Sequence, residues 1–96
     1  MYETPRQIYG IYIREVDINS GEISDYTDRS CFTTLDAARH SLEVEANREI
    51  GYGNDAVIGN DWLRVTKRDG YSHAIKRIEY RIVGFSLYGK FSNERR

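Results

Sequence analysis

The sequence predicts an α+β domain: an antiparallel sheet of four or five strands with one amphipathic helix packed on one face, in the order ββα followed by two or three strands. Three observations carry that expectation. An apolar stripe of helical period runs from Leu35 to Ile50, and Asp69-Gly70 sits between two apolar-containing runs as a hairpin turn would. β-Branched and aromatic residues crowd the segments on either side of the stripe.

The first strand is expected over Ile8–Val16, with Tyr9, Ile11 and Ile13 on one face and Ile8, Tyr12 and Val16 on the other, so that both faces are at least partly covered. Asn19-Ser20-Gly21 supplies a turn, Gly21 being free to take a positive φ. A short polar strand over Glu22–Tyr26 completes a hairpin and suits a sheet edge. The helix spans Thr34–Ile50: a threonine hydroxyl caps it and Asp36 complements the dipole in the first turn. Leu35, Ala38, Leu42, Ala46 and Ile50 form its apolar stripe, and Gly51 with Gly53 ends it. Strands then follow over Ala56–Ile58, Trp62–Lys67 and Tyr71 to about Leu87. In the last of these Ile78, Tyr80 and Ile82 share a face opposite Arg77, Glu79 and Arg81, implying one buried and one solvated side. Gly84 bends or ends that strand, leaving Phe85, Leu87 and Tyr88 to pack as a tail before a frayed Arg95-Arg96. The expected core is Ile11, Ile13, Leu35, Ala38, Leu42, Ala46, Val57, Leu63, Val65, Ile78, Tyr80 and Ile82.

A chain of 96 residues is read as one domain, residues 1–96, with room for one core. Its 40% hydrophobic and 30% charged content fits a folded protein and excludes the disordered class. No apolar run reaches the length of a membrane span, and the first residues lack the apolar stretch of a secretory signal. Cys31 stands alone and forms no internal disulfide, so a cytoplasmic location without membrane contact is expected.

The near-neutral total hides a division. Residues 1–61 carry 12 Asp/Glu against 5 Lys/Arg, whereas residues 62–96 carry 3 against 9. That distribution sets up a field without a reacting constellation, which points to recognition rather than catalysis. No enzyme, cofactor or metal is expected. Cys31 precedes the helix start, but His40 falls on the solvent side of the helical wheel and His73 in a polar hairpin, so the thiol reads as a small buried apolar group. One Cys and two separated His make no zinc spacing, and Asp55 and Asp61 lack the pattern of a calcium loop. Glu43, Glu45 and Glu49 read as solvated helix flanks.

Two surfaces remain. Glu15, Asp17, Glu22, Asp25 and Asp28 join the helix glutamates as an acidic surface flanked by aromatic anchors. Its expected partner-binding residues are Tyr9, Tyr12, Asp25, Tyr26, Glu45 and Tyr52, matched to a host protein or nucleoprotein complex. The alternative is an RNA- or single-stranded-DNA-binding face built on Arg64, Lys67, Arg68, Arg77 and Arg81 in the C-terminal hairpin. A third reading is a structural subunit whose eight tyrosines make a homodimer interface.

The strand Ile11-Tyr12-Ile13-Arg14-Glu15-Val16, the polar turn, the helix start Thr34-Leu35-Asp36-Ala37-Ala38-Arg39 and Trp62-Leu63-Arg64-Val65 before Lys67-Arg68-Asp69-Gly70 form a layout over residues 11–70. It resembles that of small phage-borne anti-CRISPR proteins, which set one helix against a short antiparallel sheet. The resemblance implies a mostly inert protein that acts by steric or electrostatic occupation of a larger nucleoprotein complex. It transfers no individual binding residue.

Overall fold

The computed structural model describes residues 7–86. Five strands and one helix follow in the order β1 (Gln7–Asp17), β2 (Ile23–Phe32), α1 (Leu35–Gly51), β3 (Asp55–Ile58), β4 (Trp62–Arg68) and β5 (Ala74–Ser86). The strands form one sheet in the spatial order β2-β1-β5-β4-β3, with every neighbouring pair antiparallel. The α+β layout with a helix on an antiparallel sheet is therefore as the sequence predicts. Leu87, Tyr88, Arg95 and Arg96 lie outside the described residues.

The connection explains where the helix lies. β2 ends at one edge of the sheet and β3 begins at the other, so the intervening chain must cross all five strands. Four spacings of about 4.8 Å total about 19 Å, and a 17-residue helix is about 25 Å long, enough to cross on a diagonal. Thr34 caps it as expected, its Oγ1 accepting from the Ala37 N–H at 3.1 Å. At the far end the positive φ falls at Gly53 rather than Gly51, which remains helical.

Under the helix, Ile11 and Ile13 of β1, Leu63 and Val65 of β4 and Ile78 of β5 pack against Leu42 and Ala46, with Phe32, Ala56, Tyr80 and Ile82 around them. Ala38 is also fully buried, and its small side chain lets the helix approach. Two expectations fail by one residue, the core position Val57 and the stripe position Ile50. Ala56 pairs with Val65 and faces the core, so strand alternation turns Val57 to the opposite face, where it is 54% exposed beside Arg64. On the helix Ile50 is exposed and Glu49 is buried instead. With 3.6 residues per turn, Glu49 falls about 20° from the centre of the buried arc and Ile50 about 80°. Leu35 is only half-buried.

Three strand boundaries differ from expectation. β2 runs on past Tyr26 to Phe32, ten residues with nearly every side chain exposed. Both faces of β2 are solvated along nearly its whole length, so its sequence carries no apolar alternation to read. Opposite Ile11 its register slips by a bulge at Asp28–Ser30. The β4–β5 hairpin is longer than a two-residue turn: β5 starts at Ala74, the positive φ lies at Ser72, and Asp69 Oδ1 accepts from the N–H groups of Tyr71 and His73. β5 then passes straight through Gly84 to Ser86, and Phe85 lies in the strand with 47% of its surface exposed. The first turn forms as expected, with Gly21 at φ 77° and Asp17 Oδ1 accepting from the Asn19 and Ser20 N–H groups.

Candidate binding face on the open side of the sheet

Among the described residues only one face of the sheet is covered. Helix α1 lies on the face carrying Ile11, Ile13, Leu63, Val65 and Ile78, and no described element lies on the other. Both faces of β1 are partly covered, as expected, but unequally: α1 buries Ile11 and Ile13, whereas Ile8, Tyr12 and Val16 on the other side are half-buried with no described element over them.

Register assembles the open face into cross-strand rows. Thr27, Tyr12, Arg81 and Trp62 lie level on β2, β1, β5 and β4. The next row is Asp25, Arg14, Glu79, Arg64 and Val57, and the next is Ile23, Val16, Arg77, Thr66 and Asp55. Trp62 and Arg64 are two apart on β4, and the Arg64 guanidinium carbon sits 5.4 Å from the centre of the Trp62 ring. The indole folds back over the β3–β4 turn, where a Cβ on Gly59 would overlap it. That turn closes with the Gly59 N–H donating to the Trp62 carbonyl at 2.9 Å.

Several of these charges are paired. Arg14 Nε donates to Asp25 Oδ1 at 2.9 Å, and that bond, helped by the nearby Tyr12 hydroxyl, holds the Asp25 carboxyl below the usual range. Arg64 lies 3.7 Å from Glu79, and Arg68 Nε donates to Asp55 Oδ2 at 2.9 Å. Arg77 and Arg81 are exposed, with no ion pair among the described residues.

The covered face has a different polar chemistry where the helix end meets the sheet. Glu49 is 4% exposed; its Oε1 accepts from Asn54 Nδ2 at 2.8 Å and lies 3.5 Å from Lys67 Nζ. Burial disfavours its ionised form, but hydrogen bonding to Asn54 and Glu45 and the Lys67 charge outweigh that and hold its pKa below the ordinary value. Tyr80 donates to Glu45 Oε2 at 3.3 Å, and burial first, then the two glutamates, push its phenol upward. At the β1–β2 end Tyr26 donates to Glu15 Oε2 at 2.6 Å, which lifts the Tyr26 pKa to about 12. Lys76 donates to the same carboxylate at 3.2 Å. The glutamates expected as solvated flanks therefore divide: Glu43 is exposed, Glu45 half-buried and Glu49 a satisfied buried anion.

Neither set of expected binding residues survives as one surface. Of the acidic set, Tyr12 and Asp25 lie on the open face. Tyr9, Tyr26 and Glu45 lie on the helix side, and Tyr52 sits 72% exposed at the helix C-cap. Strand alternation divides residues that are neighbours in sequence. Of the basic set, Arg64, Arg77 and Arg81 share the open face, and Arg68 reaches it while bound to Asp55. Lys67 turns the other way, to Glu49. Sequence reasoning missed Tyr12, Arg14 and Trp62 as partners of these arginines. The signal was present in the period-2 positions of β1 and β4, but only pairing with β5 makes them neighbours.

The other candidates stay apart. Cys31 is exposed rather than buried, paired opposite Gly10 on the edge strand, and its thiol's hydrogen-bond partner is the Arg29 carbonyl. His40 is exposed beside Glu43, and His73 beside Asp69. Among the described residues no cluster of three or more His, Cys, Asp or Glu could hold a metal ion, and no helix is long and apolar enough to cross a membrane. Comparisons with protein-family models, curated proteins and solved structures return no match.

Proposed function

We propose that this protein is a non-catalytic binding protein of the inhibitor type, which docks through the open face of its sheet and occupies a surface of a host nucleoprotein complex. One observation carries the reading: the face left bare by the helix gathers five arginines, Arg14, Arg64, Arg68, Arg77 and Arg81, with Tyr12 and Trp62 among them. Arginine and aromatic side chains are the groups that dominate binding energy at interfaces. A patterned, charged face also selects partners and speeds their encounter. The thiol and both imidazoles are tied to surface groups at separate places, which supports an inert role. The resemblance to anti-CRISPR proteins supports the same mode of action, surface occupation without chemistry.

The test is affinity capture from bacterial lysate with tagged protein, comparing wild type with Arg81→Glu and with Glu43→Lys on the outer helix surface. The expected result is a stoichiometric complex lost in Arg81→Glu and kept in Glu43→Lys, with both variants melting as wild type does. Equal capture by wild type and Arg81→Glu overturns the assignment of the open face.

A further inference from the structure

The two faces of the sheet differ in which cation they use. The strands contribute Lys67 and Lys76 to the helix-covered face, where each meets a glutamate. On the open face every strand cation is an arginine. Arginine and lysine carry the same charge but differ in chemistry. A guanidinium is planar, stacks on aromatic rings and grips phosphate with paired donors, whereas an ammonium is a compact, strongly hydrated point charge.

The arginines are also interleaved with aromatic residues at a particular spacing. Tyr12, Arg81 and Trp62 stand level on three adjacent strands, so the two aromatic positions are two strand spacings, about 10 Å, apart along the sheet, with Arg81, which has no ion pair among the described residues, on the strand between them. Arg64 stacks toward the Trp62 ring on one side, and Arg77 follows Arg81 two rows along β5. Glu79 is the carboxylate on β5 between Arg77 and Arg81. It lies level with Arg14 and Arg64 and 3.7 Å from the latter, so its charge is offset within the face.

From this arrangement we infer that the open face binds single-stranded nucleic acid, with Tyr12 and Trp62 as stacking platforms for bases and Arg64, Arg77 and Arg81 on the phosphates. The inference rests on the binding role proposed above and names the component of the complex that is touched. Flat sheets that offer aromatic rings and cations to splayed bases recognise single strands, because every base has a stacking face and a duplex hides it. The near-neutral total charge does not oppose this. The open face itself carries Asp25, Glu79 and Asp55, which offset Arg14, Arg64 and Arg68, so its net positive charge rests on Arg77 and Arg81, which have no ion pair among the described residues.

The test is fluorescence anisotropy with end-labelled twelve-nucleotide oligo-dT and oligo-rU, beside a duplex DNA of the same length. Wild type is expected to bind the single strands in preference to the duplex. Three neutralised phosphates predict a loss of about twentyfold in affinity between 50 and 200 mM salt. Trp62→Ala is expected to weaken binding by about tenfold or more through lost stacking. Arg81→Gln, a change at an exposed side chain, is expected to weaken it and flatten the salt dependence, while Tyr71→Ala at the hairpin tip leaves binding unchanged. Melting curves of each variant separate lost contacts from lost fold.

Absence of single-strand binding by the wild type, equal binding of duplex, or undiminished binding by Arg81→Gln each overturns the inference. If oligonucleotides fail while the captured complex still depends on Arg81, the face contacts protein and only the nucleic-acid assignment falls. If Arg81→Glu retains the captured complex as well, the proposed function falls with it.

Discussion

The covered and open faces of one sheet are built from alternate residues of the same strands, yet they do opposite work. Leu63 and Val65 have no exposed surface, while Trp62 and Arg64, their immediate neighbours, are exposed. On the covered side the residues are small or branched and fill the space beneath α1. On the open side Tyr12, Trp62 and the arginines are long, planar or charged and meet mostly neighbours on the sheet surface. The comparison teaches that stability and recognition are separated here by the two-residue period of a strand, not by distance along the chain.

The strongest way to break that separation is a pair of adjacent substitutions. Leu63→Ala removes a fully buried side chain and is expected to cost about 3 kcal/mol, lowering the melting midpoint by about 15 °C. Trp62→Ala, one residue away on the open face, is expected to cost about 1 kcal/mol or less while weakening binding by about tenfold or more. Thermal unfolding of the two variants side by side checks this, and equal losses would dissolve the distinction.

A smaller effect is expected where the covered face holds charge. Asn54 links Glu49 to the backbone of Arg68, its Nδ2 donating to the carboxylate and its Oδ1 accepting from the Arg68 N–H at 3.0 Å. Asn54→Ala is expected to cost about 1–2 kcal/mol at neutral pH, since it leaves a buried anion with one partner fewer. The pH dependence has a definite sign. The folded pKa of Glu49 lies below its ordinary 4.5, so its stabilisation is complete above that value and is lost as pH falls through the depressed one. Removing Asn54 moves the acid-unfolding midpoint to higher pH. An acid titration followed by circular dichroism reads the shift, and an unmoved midpoint would show that Glu45 and Lys67 hold the anion without Asn54.

The smallest effect sits at the β1–β2 end. Tyr26 has a folded pKa of about 12 against an ordinary 10.0, because its hydroxyl donates to Glu15. That contribution is complete below pH 10 and disappears as pH rises through about 12. Glu15→Gln is expected to bring one tyrosine back toward its ordinary range in a phenolate absorbance titration, with little change in neutral-pH stability. An unchanged titration would place the late-ionising phenol elsewhere.

Much of the fold is legible before any tertiary contact is known. The helix announces itself by its Thr34 cap and by Ala38, Leu42 and Ala46, and the Gly21 turn by the φ it alone adopts without strain. β5 reads correctly in its middle because burial of Ile78 forces alternation with Arg77 and Glu79. β2 is legible only at its start, since a strand solvated on both faces is under no apolar constraint. Val57 and Ile50 were misplaced because side-chain type alone does not fix phase. A single-residue slip in either period exchanges a core position for a surface one, and Ala56 and Glu49 occupy the inward positions.

The binding face shows the same division most clearly. Residue order determined that arginines cluster late in the chain, that aromatic residues flank them and that β1, β4 and β5 alternate. It could not determine that β1 and β5, about seventy positions apart in sequence, would be central neighbours with Tyr12 level with Arg81 and Trp62. Local propensities act over a few residues, whereas the pairing of distant strands is chosen by which arrangement buries Ile11, Ile13, Leu63, Val65 and Ile78 beneath one helix. Burying that set brought the opposite side chains into a single exposed face.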